Sequence, residues 1–267
     1  VRWHFYTAGA PWLPSRFYNE AVAEVQRKYL STLWNTYAFY ILYAQIDGFV
    51  PKEHPLQVDQ LTLMDRWILS RLHSTIKAVD DHLSHYRVPE AANALNDLVD
   101  DLSNWYVRRG RARFWGKGMA EDKRAAFATL YTVLESLSRL IAPFTPFMSE
   151  AMYQNMVRSV DQEAPESVHL CDFPEYDESL IDLDMERQMK ALLEVVQLGR
   201  ACRNLAGMKV RQPAARLLVR GAQFDEVYGE LARDELNVKE LVFTEDAAAF
   251  TGYKLKPQLR TLGPRFG

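Results

Sequence analysis

The sequence predicts a mainly α protein: an antiparallel helix bundle followed by a small α/β element. Three observations predict it. Apolar residues recur at steps of three and four through the first two-thirds of the chain, the period of a helix face and not of a strand. Gly and Pro are scarce inside those stretches and gather between them. After residue 212 the pattern changes to short β-rich runs around one helical stretch. The 267 residues are 48% hydrophobic and 25% charged. That suits one large or two ordinary domains and excludes a disordered chain.

Residues 1–18 read as a link into the bundle, which spans 19–158. From Asn19 to about Ala44 there is no Gly or Pro, and the stretch stops at Asp47-Gly48. A second helix opens at Thr62, where Thr62-Leu63-Met64-Asp65 has capping-box spacing with Asp in place of Glu. Leu69, Leu72, Ile76, Val79 and Leu83 then share one face. A third helix begins near Pro89, because proline lacks only an N–H that the first turn leaves unpaired. Its stripe is Leu95, Leu98, Leu102 and Trp105. A fourth runs from about Glu121 to Ile141 on Phe127, Leu130, Leu134, Leu137 and Ile141, and a fifth covers Pro146 to Val157. Such stripes bury little alone, so the helices pack on one another. Residues 159–212 read as a connecting loop, rich in Asp, Glu and Pro to 180, and a long helix from about Asp182 to Leu205. In 213–267, strands at Ala215–Val219 and Val238–Thr244 flank a helix at Phe224–Glu235, a βαβ-like order.

Net charge is −3, so nucleic-acid binding requires a local basic patch. One stands out. Arg108, Arg109, Arg111, Arg113 and Lys117 fall within ten residues, interleaved with Trp105, Tyr106, Phe114 and Trp115. Arginine forks onto phosphate oxygens, and aromatic faces stack on unpaired bases. The plain alternative is a solvated helix end, where cations favour the dipole, with Trp105 and Trp115 as core anchors. A second basic stretch, Arg200, Arg203, Lys209, Arg211, Arg216 and Arg220, reads first as a charged surface hairpin. Asn35 lies among Trp34, Tyr37, Phe39, Tyr40 and Tyr43. It reads first as a core amide satisfying a neighbour's backbone, and second as a group that reads a base edge.

Catalytic and metal-ligating residues are not evident. No GxSxG, GxxxxGK[ST] or GxGxxG occurs. His82 and His85 lack a carboxylate at ligand spacing. Cys171 and Cys202 form no CxxC pair, which argues against zinc knuckles and disulfide frameworks and suits a cytoplasmic protein. There is no secretory signal. The most apolar stretch, Leu30 to Ile46, is too short to span a bilayer. Val1 in place of Met and the turn-rich end both read as cuts through a longer chain.

Taken together, the motifs resemble isoleucyl-tRNA synthetase behind its catalytic core, most closely its eukaryote-like branch. The resemblance rests on Val1-Arg2-Trp3, the run Ala10 to Phe17, Trp34-Asn35-Thr36-Tyr37, Asp65-Arg66-Trp67-Ile68 and Asn104-Trp105-Tyr106-Val107-Arg108-Arg109. It extends through Ala142-Pro143-Phe144-Thr145-Pro146-Phe147, Lys209-Val210-Arg211-Gln212-Pro213, Glu235 to Leu241 and Thr261 to Gly267. It implies that residues 1–18 lead from a catalytic core and that 213–267 lead toward a further C-terminal region. It also implies an anticodon-binding bundle whose partner is the anticodon stem-loop of isoleucine tRNA. The parent enzyme would use ATP; this stretch, without the family's HIGH and KMSKS motifs, would hold no cofactor and be inactive alone. By position, Arg108, Arg109, Arg111, Arg113 and Lys117 would hold RNA backbone, with Trp115 and Asn35 as base contacts. Gly110, where a polar or basic residue is expected, would loosen the helix there. The alternative is a scaffold bundle with little tRNA affinity of its own. Salt separates the two: each phosphate contact contributes a log–log slope of about 0.7 to 0.9 to RNA affinity, whereas a scaffold shows only weak, tRNA-independent binding.

Overall fold

The computed structural model describes residues 1–9, 12–14, 17–221 and 223–246. Parts of the Ala10 to Phe17 motif, the closing Thr261 to Gly267 motif and the rest of 247–267 lie outside the described residues. The chain forms two compact units, Val1–Leu183 and Asp184–Gly267. Among the described residues, no helix is long and apolar enough to cross a membrane.

The first unit is an all-helical bundle. The expected link is itself folded: α1 (Arg2–Thr7) buries Trp3, which stacks on Tyr29 with ring centroids 3.8 Å apart. Helix α2 (Asn19–Val25) passes through a π turn at Gln26–Leu30 into α3 (Ser31–Asp47). The run ends at Gly48, whose φ of 66° is open to glycine at little cost. Helix α4 (Leu63–Ser84) starts on the capping box at Thr62: Asp65 N–H donates to Thr62 Oγ1, and Thr62 N–H donates back to Asp65 Oδ2. Its face of Leu69, Leu72, Ile76 and Val79 is buried.

Helix α5 (Val88–Asp100), a π segment at Asp101–Val107 and α6 (Arg108–Trp115) form one continuous helical run. The π segment explains a departure from the simple stripe. Leu95, Leu98 and Leu102 are buried, but Tyr106 follows them into the core and Trp105 is only half-buried. An uninterrupted α-helix turns about 100° per residue, which would place Phe114 roughly 120° around the axis from Leu102. The wider turns absorb that remainder, and Phe114 is 1% exposed. Gly110 does not loosen the helix as expected, since α6 runs straight through it and nearby Phe114 leaves its α-carbon room. Helix α7 (Glu121–Leu140) carries the buried Phe127, Leu130, Leu134 and Leu137. Helix α8 (Pro146–Tyr153) continues into a π turn at Gln154–Arg158. The following loop is strapped to the bundle: Glu150 accepts from Ser167 and from the Val168 N–H, and Ser70 Oγ accepts from the Asp182 N–H at 2.8 Å.

In the second unit, α9 (Leu183–Leu205) precedes β1 (Ala214–Val219), α10 (Glu226–Leu236) and β2 (Val238–Phe243). The two strands pair in parallel, Ala214 opposite Val238 and Val219 opposite Phe243. Parallel pairing needs a crossover, and α10 supplies it. The basic stretch here is less of a free hairpin than its sequence suggests. Arg203 is buried and donates to the carbonyls of Gln212 at 2.8 Å and Asn237 at 3.0 Å, tying the turn before β1 to the start of β2. Arg200 pairs with Glu235, and Arg216 lies 3.6 Å from Glu240 across the strands.

Gly199 on α9 packs directly against α10: a Cβ there would stand 2.7 Å from Leu236 Cδ1, and Leu236 is fully buried. Gly199→Ala therefore destabilises this unit by about 1–3 kcal/mol through overpacking. A thermal melt reads it, and an unchanged midpoint would show that Leu236 yields without cost.

Candidate nucleic-acid interface

The arginine-rich segment is organised by one buried carboxylate. Asp65, the capping residue of α4, is 0% exposed. Arg113 on α6 donates to both of its oxygens, Nη1 to Oδ1 at 2.8 Å and Nη2 to Oδ2 at 2.9 Å. Tyr106, in the π segment, donates its hydroxyl to Oδ1 at 2.6 Å, and the Thr62 hydroxyl donates to Oδ2 at 2.6 Å. Arg113 also reaches the start of α7, with Nε 2.8 Å from Asp122 Oδ1 and Nη2 donating to the Asp122 carbonyl at 3.0 Å. Burial pushes the Asp65 carboxyl up. The bonds from Arg113, Thr62 and Tyr106 overcome it and hold the group below the usual carboxylate range. Burial and the Asp65 charge push the Tyr106 phenol well up, so it stays a donor.

A second tie closes the same end. Lys123, 4% exposed, donates to the Gly116 carbonyl at 2.8 Å and pairs with Asp47 at the end of α3 at 2.7 Å. Phe114 meets Phe39 and Phe127 edge-on, with centroids 5.2 and 5.1 Å away. The last turn of α6 is thus held by α3, α4 and α7 together.

The seven sequence-predicted residues divide accordingly. Arg113 has its fork committed inward to Asp65 and Asp122, a structural position that differs from the one expected of a phosphate contact. Arg111 and Lys117 are exposed, and Trp115 is 58% exposed. Arg108 and Arg109 are half-buried; Arg108 donates Nε to the Asn104 carbonyl at 2.7 Å and lies 5.4 Å from the Trp105 ring centre. Asn35 is exposed, not the core amide first expected. Helix α3 turns Leu33, Thr36, Tyr37, Tyr40 and Ala44 inward, which leaves Asn35 beside the half-exposed Trp34 on a cleft of about 370 Å³. One helical turn along, Phe39 meets Phe114, the neighbour of Trp115.

Sequence reasoning found Asp65 as a cap and missed it as the anchor of Arg113, 48 residues away. Lys123 and Asp122 were missed outright, because nothing in their local pattern sets them apart from an ordinary helix start. Asp101 is half-buried against Arg71, whose Nε donates to it at 2.9 Å. Burial pushes its carboxyl up to about 6 despite that partner. Among the described residues, no group of three or more His, Cys, Asp or Glu could hold a metal ion.

The end of a helix in an all-helical bundle thus carries outward cations and an outward tryptophan on inward-turned supports. The chain belongs to the family of the anticodon-binding domain of tRNA ligase, which matches residues 65–219. Its relatives include the isoleucine–tRNA ligase of Clostridium tetani, 50% identical over 266 residues, covering 100% of this chain and 26% of that protein. They also include isoleucine–tRNA ligase 2 of Bacillus cereus, 45% identical over 271 residues, covering 100% of this chain and 25% of that protein. The chain thus spans about a quarter of the length of these relatives. Among solved structures, LeuRS of Agrobacterium radiobacter, in a ternary complex with tRNA and LeuAMS, shares the fold. It is 17% identical, with a TM-score of 0.50 over 68% of this chain and 20% of that one.

Removing one partner of a buried pair strands the other, so Arg113→Met costs about 3–5 kcal/mol of stability. Pairing it with Asp65→Leu recovers much of that loss in a denaturant melt. The acid profile follows from the two shifted carboxyls. Asp101, with its carboxyl raised to about 6, contributes stability that is present below pH 4 and lost as pH rises through 6. Asp65, held low, contributes stability above its unfolded value near 4 that is lost as pH falls through its folded value. Melting temperature against pH should therefore rise on acidification toward pH 4 and fall below it. Asp101→Asn removes the rise and leaves the fall.

Proposed function

We propose that this chain is the anticodon-arm-binding part of an isoleucine–tRNA ligase. The observation that carries the reading is the end of α6 and the residues just after it, which present Arg111, Trp115 and Lys117 to solvent while the Arg113–Asp65 pair fixes the helix end. Relatives of 45–50% identity along the whole chain support isoleucine as the amino acid. Arg108, Arg109, Arg111 and Lys117 hold the phosphate backbone and set register. Trp115 stacks on an unpaired loop base, and the exposed Asn35 amide offers a donor and an acceptor to a base edge. Arg113 acts through the fold, holding the helix that carries the others.

The partner is the anticodon stem-loop of isoleucine tRNA, met in the cytoplasm. Ligation with ATP belongs to the longer protein, whose catalytic core and C-terminal region are this unit's other partners. A helix held by buried contacts loses little freedom on binding, which favours affinity from few contacts.

The test is titration of the chain with the isoleucine anticodon stem-loop, and with a stem-loop of altered anticodon, across a salt series. Arg111→Ala and Lys117→Ala should each lower the log–log salt slope by about 0.7 to 0.9 with melting temperature unchanged. Trp115→Ala should weaken binding by about 1–3 kcal/mol and leave the slope alone. Equal affinity for both loops would reduce the role to holding the backbone. No binding at low salt would overturn the reading in favour of a scaffold.

A further inference from the structure

A second recess opens at the same end of the bundle and has no part in the site described above. It is a cleft of about 180 Å³ between the 53–60 loop and the first turns of α7. Its floor is Ala125 and Ala128, one helical turn apart, and both are buried. Two methyl groups in place of longer side chains are what leave the space. Glu53, His54, Pro55, Gln57, Gln60 and Arg124 line its walls, and Arg124 Nη1 donates to the Met119 carbonyl at 3.4 Å. Among the described residues, no hydrogen bond engages the side-chain amide of Gln57 or of Gln60. His54 is held from behind, its ring stacked on Phe49 at 5.4 Å, and Phe49 is stacked on Phe127 at 5.0 Å.

Size and lining restrict the occupant. The cleft is smaller than the roughly 300–1,000 Å³ typical of whole small-molecule and cofactor sites. It has room for one flat ring whose attached chain stays outside. Two amides present two NH2 groups as donors and two carbonyl oxygens as acceptors, the pattern that pairs with a base edge. The guanidinium suits a ring face or a phosphate. The location is equally specific. Arg124 follows Lys123, and Lys123 donates to the Gly116 carbonyl between Trp115 and Lys117. RNA held at the end of α6 therefore passes close to this opening.

We propose that this cleft receives one unpaired nucleobase of the bound RNA, with Gln57 and Gln60 reading its edge and Arg124 meeting its ring or phosphate. The proposal rests on the RNA-binding reading and assigns that RNA a second base pocket. Gln57 is exposed and Gln60 half-buried, so replacing them leaves the fold intact, which the melting temperature verifies.

The experiment compares the unaltered chain with a Gln57→Ala/Gln60→Ala double variant. Each is titrated with the isoleucine anticodon stem-loop and with a set of stem-loops carrying a single abasic site at successive loop positions. The double variant should bind the complete stem-loop roughly tenfold more weakly, as expected for two lost hydrogen bonds, with the same salt slope. At one abasic position, and no other, the two proteins should bind alike, since the base that the amides read is gone. Ala125→Leu, which fills the floor, should reproduce that pattern. Equal affinity of both proteins for the complete loop overturns the pocket while leaving the α6 interface standing. A loss that persists at every abasic position also overturns it. Failure of the unaltered chain to bind any stem-loop overturns both readings.

Discussion

Asp65 is the constraint on which the rest of the first unit depends. Its carboxylate has no exposure to water and is fully engaged by groups from three different stretches of chain. A lone buried charge would be severely destabilising. Arg113 makes it tolerable, and Thr62 and Tyr106 fill the remaining lone pairs. Each of these comes from a helix terminus or a wide turn, so the geometry of α4, of the π segment and of α6 is fixed at one point. Asp122 extends the tie to α7. The electrostatics that stabilise the bundle also aim the helix that bears the outward cations.

That arrangement divides labour among residues of the same type. Arg113 and Lys123 are cations turned inward, each paired with a carboxylate and bonded to a carbonyl. Arg111 and Lys117 are cations turned outward. Arg203 does in the second unit what Arg113 does in the first: its guanidinium gathers carbonyls from a turn and a strand start. Composition cannot separate such roles. A basic cluster contains both charges turned to solvent and charges that keep the cluster in place.

The fold was largely legible in the sequence, because it follows from local physics. The Thr62 capping box, Pro89 in a first turn, the stripe of α7 and the β–α–β order after residue 212 are each set by neighbours within a few positions. What could not be read were features that depend on distant partners. Asp65 and Arg113 meet across 48 residues. Tyr106 displaces Trp105 from the core because wider turns rephase the helix, and no residue pattern announces them. Asn35, set in an aromatic run, looked like a core group until α3 turned the neighbouring positions inward instead. Trp3 showed no periodicity to mark it as core, since a single helical turn is too short to display one. Of the candidate site, the segment was visible; which of its members face outward was not.

The π segment between α5 and α6 carries a consequence for change over time. Everything after it depends on its phase: Arg113 faces Asp65 and Phe114 faces Phe39 only because the turns before them are wide. Regular winding over the same number of residues would rotate α6 by about 120°. The cations would then point at the core, and the ring that anchors them would point at water. Loss of one residue together with the wide turns would leave Phe114 only about 20° from its present phase, so the residue count and the winding of this helix can change only as a pair.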